Sequence, residues 1–429
     1  MNGVFILILF LALIVINVPI AFSMMLTGFI YVLTTGNVPV SFVPQAIVNG
    51  SSSYTVLAIP FFMLVGELMN SSGITTRLFN FANCLVGHIT GGLGHVNVLA
   101  SILFAGMSGS AAADAAGLGN VEIKAMKEQG FDADFAVGVT AASSTIGPII
   151  PPSSPMVLFG ITGFVSIGAL FLGGLVAGIM MAVFMMVTVY ILAKKRNYPK
   201  RPRASVKEMW RSFIAAAPSL LTPIIIVGGI LSGIFTPTEA AAASVVYALF
   251  LGVFVNRELN LKNIFKVLDK TVENIGMCLF LAGTGNLFGW MLGLEKVAEN
   301  AANALFSISP NPMIILLIIN IFLLFVGTFM ETNASIFILV PVLMPIIKEL
   351  GMHPVQFGVV MVLALMIGLL TPPTAICLSI TSKLGGISYD RAFKATTPYY
   401  IGLLVTLALL NIFPELTLFI PRLFLGKAF

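Results

Sequence analysis

The 429-residue chain is 58% hydrophobic and 9% charged, with a formal net charge of +5. Soluble domains carry about 25% charged residues, so this composition excludes a soluble globular protein and indicates a polytopic membrane protein. Cys84, Cys278 and Cys377 are odd in number and scattered through apolar stretches, which argues against a disulfide framework and a metal site and reads as buried thiols.

Apolar stretches at 4–32, 170–193, 220–234, 240–255, 313–326 and 400–413 approach the roughly 20 residues a helix needs to cross a hydrocarbon core. They are continuous rather than alternating, which predicts helices and not barrel strands. The first begins MNGVFILILF, with neither a basic leader nor a small-residue cleavage site, and reads as a retained span.

Next in the chain, an apolar stretch at 92–106 runs into MSGSAAAD, a glycine-containing polar break, and then into a second helix ending in Lys-Glu-x-Gly. Two apolar arms around a polar tip predict a re-entrant hairpin over 92–129. The segment 132–163 is apolar up to GPIIPP, where prolines remove backbone donors, and continues beyond it as a further helical piece; it reads as a discontinuous span. The stretch AKKRNYPKRPRASVKEMWR, 193–211, holds eight Lys or Arg residues, and by the positive-inside tendency it is cytoplasmic. As one short loop flanked by spans it does not read as a nucleic-acid site. In TPTEAAAA, Thr236, Pro237 and Glu239 have the spacing of a capping box.

The second half repeats the first. A shift of 221 residues aligns 106–163 with 327–384 without a gap at 12 identities, among them Gly106/Gly327, Lys127-Glu128/Lys348-Glu349, Gly130/Gly351, Gly147/Gly368 and Pro151-Pro152/Pro372-Pro373. These fall where glycine and proline dictate backbone geometry. The expected organisation is a first repeat over 1–193 with its hairpin at 92–129 and broken helix at 132–163, a basic cytoplasmic connector at 194–211, and a second repeat over 212–429 with its hairpin at 311–350 and broken helix at 354–384. Broken backbone at membrane depth must be buried in protein or line a cavity, and paired broken elements mark the binding sites of secondary transporters. The alignment does not decide between parallel and inverted repeats.

At NVPIAFSMMLTG, SGSAAADAAGLG, STIGPIIPPS, FTPTEAAA and GLLTPPTAICL the chain resembles the large membrane subunit of tripartite ATP-independent periplasmic (TRAP) transporters, most closely the sialic acid branch. The resemblance covers nearly the whole chain. It implies an all-α, inverted-repeat fold of elevator type in the bacterial inner membrane, and sodium-coupled uptake of an organic acid such as sialic acid. A periplasmic binding protein would deliver the substrate, and a small TRAP membrane subunit would be a second partner, with lipid around the spans. No cofactor is implied beyond sodium as the coupling ion. The alternatives are a C4-dicarboxylate TRAP subunit and a stand-alone sodium/anion symporter that needs no binding protein.

Sodium is a hard cation that takes several oxygens, which two facing breaks supply as carbonyls and hydroxyls. Ser108, Ser110, Ser144, Thr145 and Gly147 are the candidates for one sodium site; Glu331, Thr332, Asn333, Thr371, Pro372 and Thr374 are the candidates for a second. The substrate carboxylate is assigned to Ser108, Ser110, Ser153 and Ser154, and Asp114, which resembles the family's carboxylate in the same hairpin, is placed at the tip facing an aqueous site. Glu331 stands where the family pattern has aspartate, which keeps the charge and lengthens its reach. Neither broken segment contains arginine, so sodium and amide dipoles would neutralise the substrate.

Glu67 has no partner evident in the sequence, and Arg77, Lys296 and Arg391 read as boundary anchors. His88, His95 and His353 fall near helix ends, without metal-ligand spacing. Two other classes are weak. An intramembrane aspartyl pair would require Asp114 with Asp132 or Asp134, which lie in a polar turn; a channel would require a continuous polar pore instead of two closed breaks.

Overall fold

The computed structural model describes residues 3–36 and 38–426, and among these every regular element is helical. Six helices are long and apolar enough to cross a membrane: Ile167–Lys195, Val206–Leu231, Pro237–Val255, Leu261–Leu294, Thr332–Glu349 and Tyr389–Ile412. The amino-terminal stretch departs from the expected single span. It forms two helices, Gly3–Val15 and Ile20–Thr35, because Asn17 adopts a left-handed φ of 68° and Pro19 cannot continue the ladder of the first.

The first hairpin has arms Gly92–Ser108 and Ala111–Glu128; the second has arms Pro312–Gly327 and Thr332–Glu349. Each is followed by a broken element. In the first half, Ala133–Ser143 tightens into a 3-10 turn at Ser144–Ile146, and the chain resumes as Ser154–Gly163. In the second, Pro354–Leu369 gives way to Ile376–Gly385. The punctuation shared by the halves has shared geometry: Gly130 and Gly351 both take φ in the left-handed region, at 82° and 72°, and Pro151-Pro152 and Pro372-Pro373 are both cis. Such glycines stop the second arm because a Cβ would be strained at that φ.

The basic connector lies against the base of the first hairpin. Tyr198 donates to Asp132 at 2.6 Å, Arg196 pairs with the same carboxylate at 3.0 Å, and Arg201 donates to Gln129 at 3.2 Å. Together Tyr198, whose hydroxyl is the larger influence, and Arg196 hold the Asp132 carboxyl below its ordinary value. The base of the second hairpin is elsewhere: Pro345 and Lys348 share a cavity with Trp290, near the carboxy-terminal end of Leu261–Leu294. That helix begins one turn-back from the connector, since Val206–Leu231 leaves it and Pro237–Val255 returns.

Other charged groups are tied down across the fold. Glu67 pairs with Lys270 at 2.9 Å, a partner 203 residues away that its local sequence does not announce. Arg77 pairs with Glu258, Lys296 with Glu299 and Arg391 with Asp134. The Thr236/Glu239 capping box forms as the sequence predicts, and Ser205 with Glu208 makes a second. His95 lies near a helix end as expected, in the first turn of the first arm, and is buried there.

Candidate functional site

The tips of both hairpins meet one cavity of about 170 Å³. Gly109–Ala113 border it from the first hairpin, and Glu331–Asn333 from the second. The broken elements contribute Pro148, Ser154 and Pro155 from the first half and Leu369 and Ile376 from the second. Two helices outside the hairpins complete the wall, with Glu67 and Asn70 from Ala58–Ser71 and Thr271, Asn274 and Cys278 from Leu261–Leu294.

Four helices therefore begin at this cavity: Ala111–Glu128, Ser154–Gly163, Thr332–Glu349 and Ile376–Gly385. A helix start presents unpaired amides and the positive end of its dipole, so the convergence favours an anion. Among the described lining residues there is no lysine or arginine. A negative group placed here meets amides and hydroxyls, with the carboxylates of Glu67 and Glu331 on the same wall.

The first tip is held by backbone contact. Gly109 adopts φ 56°, and a Cβ there would lie 2.9 Å from the Pro152 carbonyl oxygen and 3.2 Å from the Ser154 nitrogen, so only glycine fits. Ser110 caps the second arm by accepting from the Ala113 amide at 3.4 Å. At the break, the Ser144 and Thr145 hydroxyls donate back to Ala141 and Ala142 carbonyls at 2.8 and 2.6 Å. Gly147 lies beside the carbonyls of Ser144 and Ser110, 3.4 and 3.6 Å from the position its Cβ would take. Ser110, Ser144, Thr145 and Gly147 are thus brought to one corner, rich in carbonyl oxygen. Ser108 ends the first arm, and its side chain lies outside the described residues.

The second break is closed differently from the sequence expectation. Glu331 caps its helix, accepting from the amides of Asn333 and Ala334 at 3.0 and 3.2 Å, and with Thr332 and Asn333 it borders the cavity. Thr374 instead meets the Thr328 carbonyl through both its amide and its hydroxyl. Thr371 is engaged by Tyr400, whose hydroxyl also donates to the Leu370 carbonyl at 2.6 Å, and Pro372 lies off the cavity wall with it. The residue joining tip to break is Thr328, which the sequence did not single out.

Two further candidates also move. Ser153 is a fully internal cap, accepting from Met156 at 3.2 Å and donating to the Pro148 carbonyl, whereas Ser154 reaches the cavity. Asp114 is 1% exposed and is not on the cavity wall. One turn beyond the Ser110 cap, it turns back beneath the tip toward Ser101 of the first arm, and so does not face an aqueous site. Asn70, Thr271, Asn274 and Cys278 were missed because nothing in their local sequence distinguishes a wall of this cavity from any other helix face. Cys278 is on that wall rather than being an inert core thiol.

Glu67 and Asn70 belong also to a mouth formed with Asn263, Lys266 and Lys270, near the connector end of Leu261–Leu294. Farther along the same helix, Asn286 and Trp290 line a separate cavity of about 1170 Å³ with Gly163 and Lys348. Three chambers thus follow one helix, and the smallest lies between the other two.

Comparison with known proteins identifies a family and a fold. The family model described as tripartite ATP-independent periplasmic transporter, DctM component, matches residues 7–416. The chain is 46% identical over 410 residues to the sialic acid TRAP transporter large permease protein SiaM of Vibrio cholerae, covering 96% of each. It is 40% identical over 372 residues to the C4-dicarboxylate TRAP transporter large permease protein DctM of Pseudomonas aeruginosa, covering 87% of each. Among solved structures, the Alcanivorax borkumensis YdaH transporter shares the fold at TM-score 0.61 and 14% identity, over 87% of this chain and 88% of that one.

Proposed function

The chain belongs to the DctM family, the large permease component of tripartite ATP-independent periplasmic transporters, and from that premise we propose that it carries an organic anion inward, driven by sodium. It is a multi-pass protein of the bacterial inner membrane and works as one component of three. We assign the other two roles to a small membrane subunit and a periplasmic binding protein that delivers the substrate.

The observation that carries the reading is the convergence of four helix starts on a cavity whose described lining has no cationic side chain. Amide dipoles alone hold a carboxylate loosely, and a sodium ion beside it supplies the missing positive charge. The carbonyl-rich corner at Ser110, Ser144 and Gly147 is the first proposed ion position; Thr328, Glu331 and Thr374 frame the second. Coupling then follows from electrostatics, because anion and sodium each neutralise what the other leaves. The hydroxyls of Ser110, Ser154, Thr271 and Thr332 and the amides of Asn70, Asn274 and Asn333 on the wall suit a sugar acid, which favours sialic acid, in line with the 46% relative.

A C4-dicarboxylate is the second reading, supported by the 40% identity to a protein of that name.

The connector and the mouth at Lys266 and Lys270 are on the same side of the membrane, the cytoplasmic side by the positive-inside tendency. On that reading the first hairpin enters from the cytoplasm and the second from the periplasm, an inverted pair, and the cavity opens inward. Movement of the hairpins and broken elements as one body past Ala58–Ser71 and Leu261–Leu294 would carry the cavity toward the larger chamber.

The test reconstitutes the chain with its small subunit in liposomes under an inward sodium gradient and follows labelled sialic acid, with and without the binding protein. Uptake requiring both sodium and the binding protein supports the proposal. Uptake without the binding protein means a stand-alone symporter, and uptake of a C4-dicarboxylate in place of sialic acid overturns the substrate while leaving the mechanism.

A further inference from the structure

The first hairpin holds a polar cluster that the proposed transport site does not use. Glu122, on the second arm, is 1% exposed; its Oε2 takes a hydrogen bond from the Asn97 amide at 2.5 Å, and its Oε1 is buried without a partner. Asn97 also donates to Thr140 at 2.7 Å and accepts from Ser143 at 2.6 Å. Thr140 donates onward to the Ala136 carbonyl at 2.7 Å. The cluster thus joins both arms to the first broken element, and every polar group in it is engaged except one carboxylate oxygen.

No cation neutralises this carboxylate. The elements packed against the second arm carry His95 on the first arm, Asp134 on Ala133–Ser143, Cys377 and Lys383 on Ile376–Gly385, and Arg77 and Cys84 on Ile74–Val86. Asp134 is paired with Arg391 and Arg77 with Glu258. On its own helix, Lys127 donates to the Gly385 carbonyl, and Asp114 is a second buried carboxyl, neither of whose oxygens has a hydrogen-bond partner among the described residues. None of the described cations is within ion-pair distance of Glu122. An ionised carboxylate sealed in such a place, with a single neutral donor, loses its hydration without a compensating charge, whereas the neutral acid has little to lose.

We propose that Glu122 is a proton-binding site of the moving unit: it travels as a neutral carboxylic acid in the Asn97 cluster, and its ionisation arrests transport. Asn97 serves both protonation states. As oriented it donates N–H to the carboxylate, and with its amide turned over it accepts the carboxyl O–H. The reaction is a simple protonation, in which an O–H bond forms on Glu122 with a proton from water at the hairpin base. That base is less than two helical turns away, where Glu128 ends the arm. Part of this inference, the arrest of transport, rests on the function proposed above; the protonation itself does not.

Infrared spectroscopy of the purified protein at neutral pH, with H₂O exchanged for D₂O, reads the protonation directly. A protonated-carboxyl C=O band that disappears in Glu122→Gln is the expected result, with Glu122→Asp displacing it instead of deleting it. The Asp variant keeps the assignment testable if the Gln variant does not fold. A band unchanged in both variants overturns the proposal. In the uptake assay, wild-type rate should fall about tenfold per pH unit along its alkaline limb, as for one group titrating, while Glu122→Gln, which mimics the neutral acid, keeps uptake and flattens the limb. A folded Glu122→Gln that is inactive, or that has lost part of its sodium dependence, overturns it in favour of a bound metal cation. Failure of sodium-driven uptake in every protein, with the band still assigned to Glu122, counts against the function proposed above and not against the proton site.

Discussion

The two halves share backbone punctuation and differ in where they put their charge. In the first hairpin the carboxylates Asp114 and Glu122 are sealed within the second arm, and the tip presents only glycine, serine and alanine. In the second the arms are apolar, with Pro341 and Pro345 in the second arm, and the carboxylate of Glu331 stands at the tip, capping its own helix beside the cavity. A duplicated frame has thus been filled with unlike chemistry. The frame dictates where helices stop, and the filling dictates which chemistry each stop presents to the cavity.

The sharpest contrast is between the equivalent glycines 147 and 368. A Cβ on Gly368 would lie 2.6 Å from the Gly327 Cα and 2.6 Å from the Leu324 carbonyl oxygen, both backbone atoms that cannot yield. At Gly147 the nearest atom would be 3.4 Å away, an ordinary contact. Gly368→Ala should therefore cost about 3 kcal/mol or more, and Gly147→Ala less than about 1 kcal/mol, as read from thermal unfolding in detergent. Equal losses would mean that the halves are not packed unequally at their breaks.

Next in size is the effect of the tips on sodium dependence. Glu331→Gln removes a carboxylate at the cavity and should raise the half-saturating sodium concentration about tenfold. Ser110→Ala removes a hydroxyl but leaves the Ser110 carbonyl, and should raise it only about twofold. Sodium titrations of uptake compare the two; equal shifts would remove the contrast between the tips, and a larger shift in Ser110→Ala would place the dominant ion at the first.

A smaller effect separates two cysteines. Cys278 borders the cavity and should react with a membrane-permeant maleimide, about tenfold more slowly when substrate fills the cavity. Cys377 is buried and should stay unlabelled with or without substrate. Mass spectrometry of the labelled peptides distinguishes them, and protection at neither site would remove the cavity from the substrate path.

The smallest predicted effect concerns the equivalent residues Asp132 and His353, each the N-cap of its broken element. Burial, with the nearby Arg422 charge second, lowers the His353 value, and the Tyr198 hydroxyl lowers that of Asp132. Both groups bind their proton more weakly folded than unfolded, so stability falls on acidification in both cases. The His353 contribution is present above the unfolded histidine value of about 6.5 and is lost as pH falls through the folded one. That of Asp132 is present above about 3.9 and is lost below it. His353→Asn should remove only the upper step of an acid-stability profile and Tyr198→Phe should weaken only the lower; a single step shared by both variants would contradict the separation.

Much of the backbone was legible in the linear sequence. The paired prolines, Gly130 and Gly351, and the Thr-Pro-x-Glu cap each act on their own few residues, and each has the effect that its chemistry requires. The break between Val15 and Ile20 was equally local, yet the continuous apolar run masked it, since hydropathy reports burial in lipid and not helix continuity. Side-chain roles were less legible. Thr374 was read against Glu331 but meets Thr328, and Asp114 was read as a tip residue but turns inward, because both outcomes depend on the angle at which two hairpin arms pack.

The sequence by itself therefore determined that this is a helical membrane protein of two similar halves, and where its two hairpins and two broken elements are interrupted. Local steric rules and the transfer of apolar side chains into lipid act on neighbouring residues, and so can be read in order along the chain. Tertiary structure alone decided that four helix starts share one cavity, that Glu67 finds Lys270, and that Asn97 finds Glu122 and Thr140. Those contacts join residues from 25 to 203 positions apart, and hydrogen bonds and charges act over a few ångströms of space, which sequence separation does not measure.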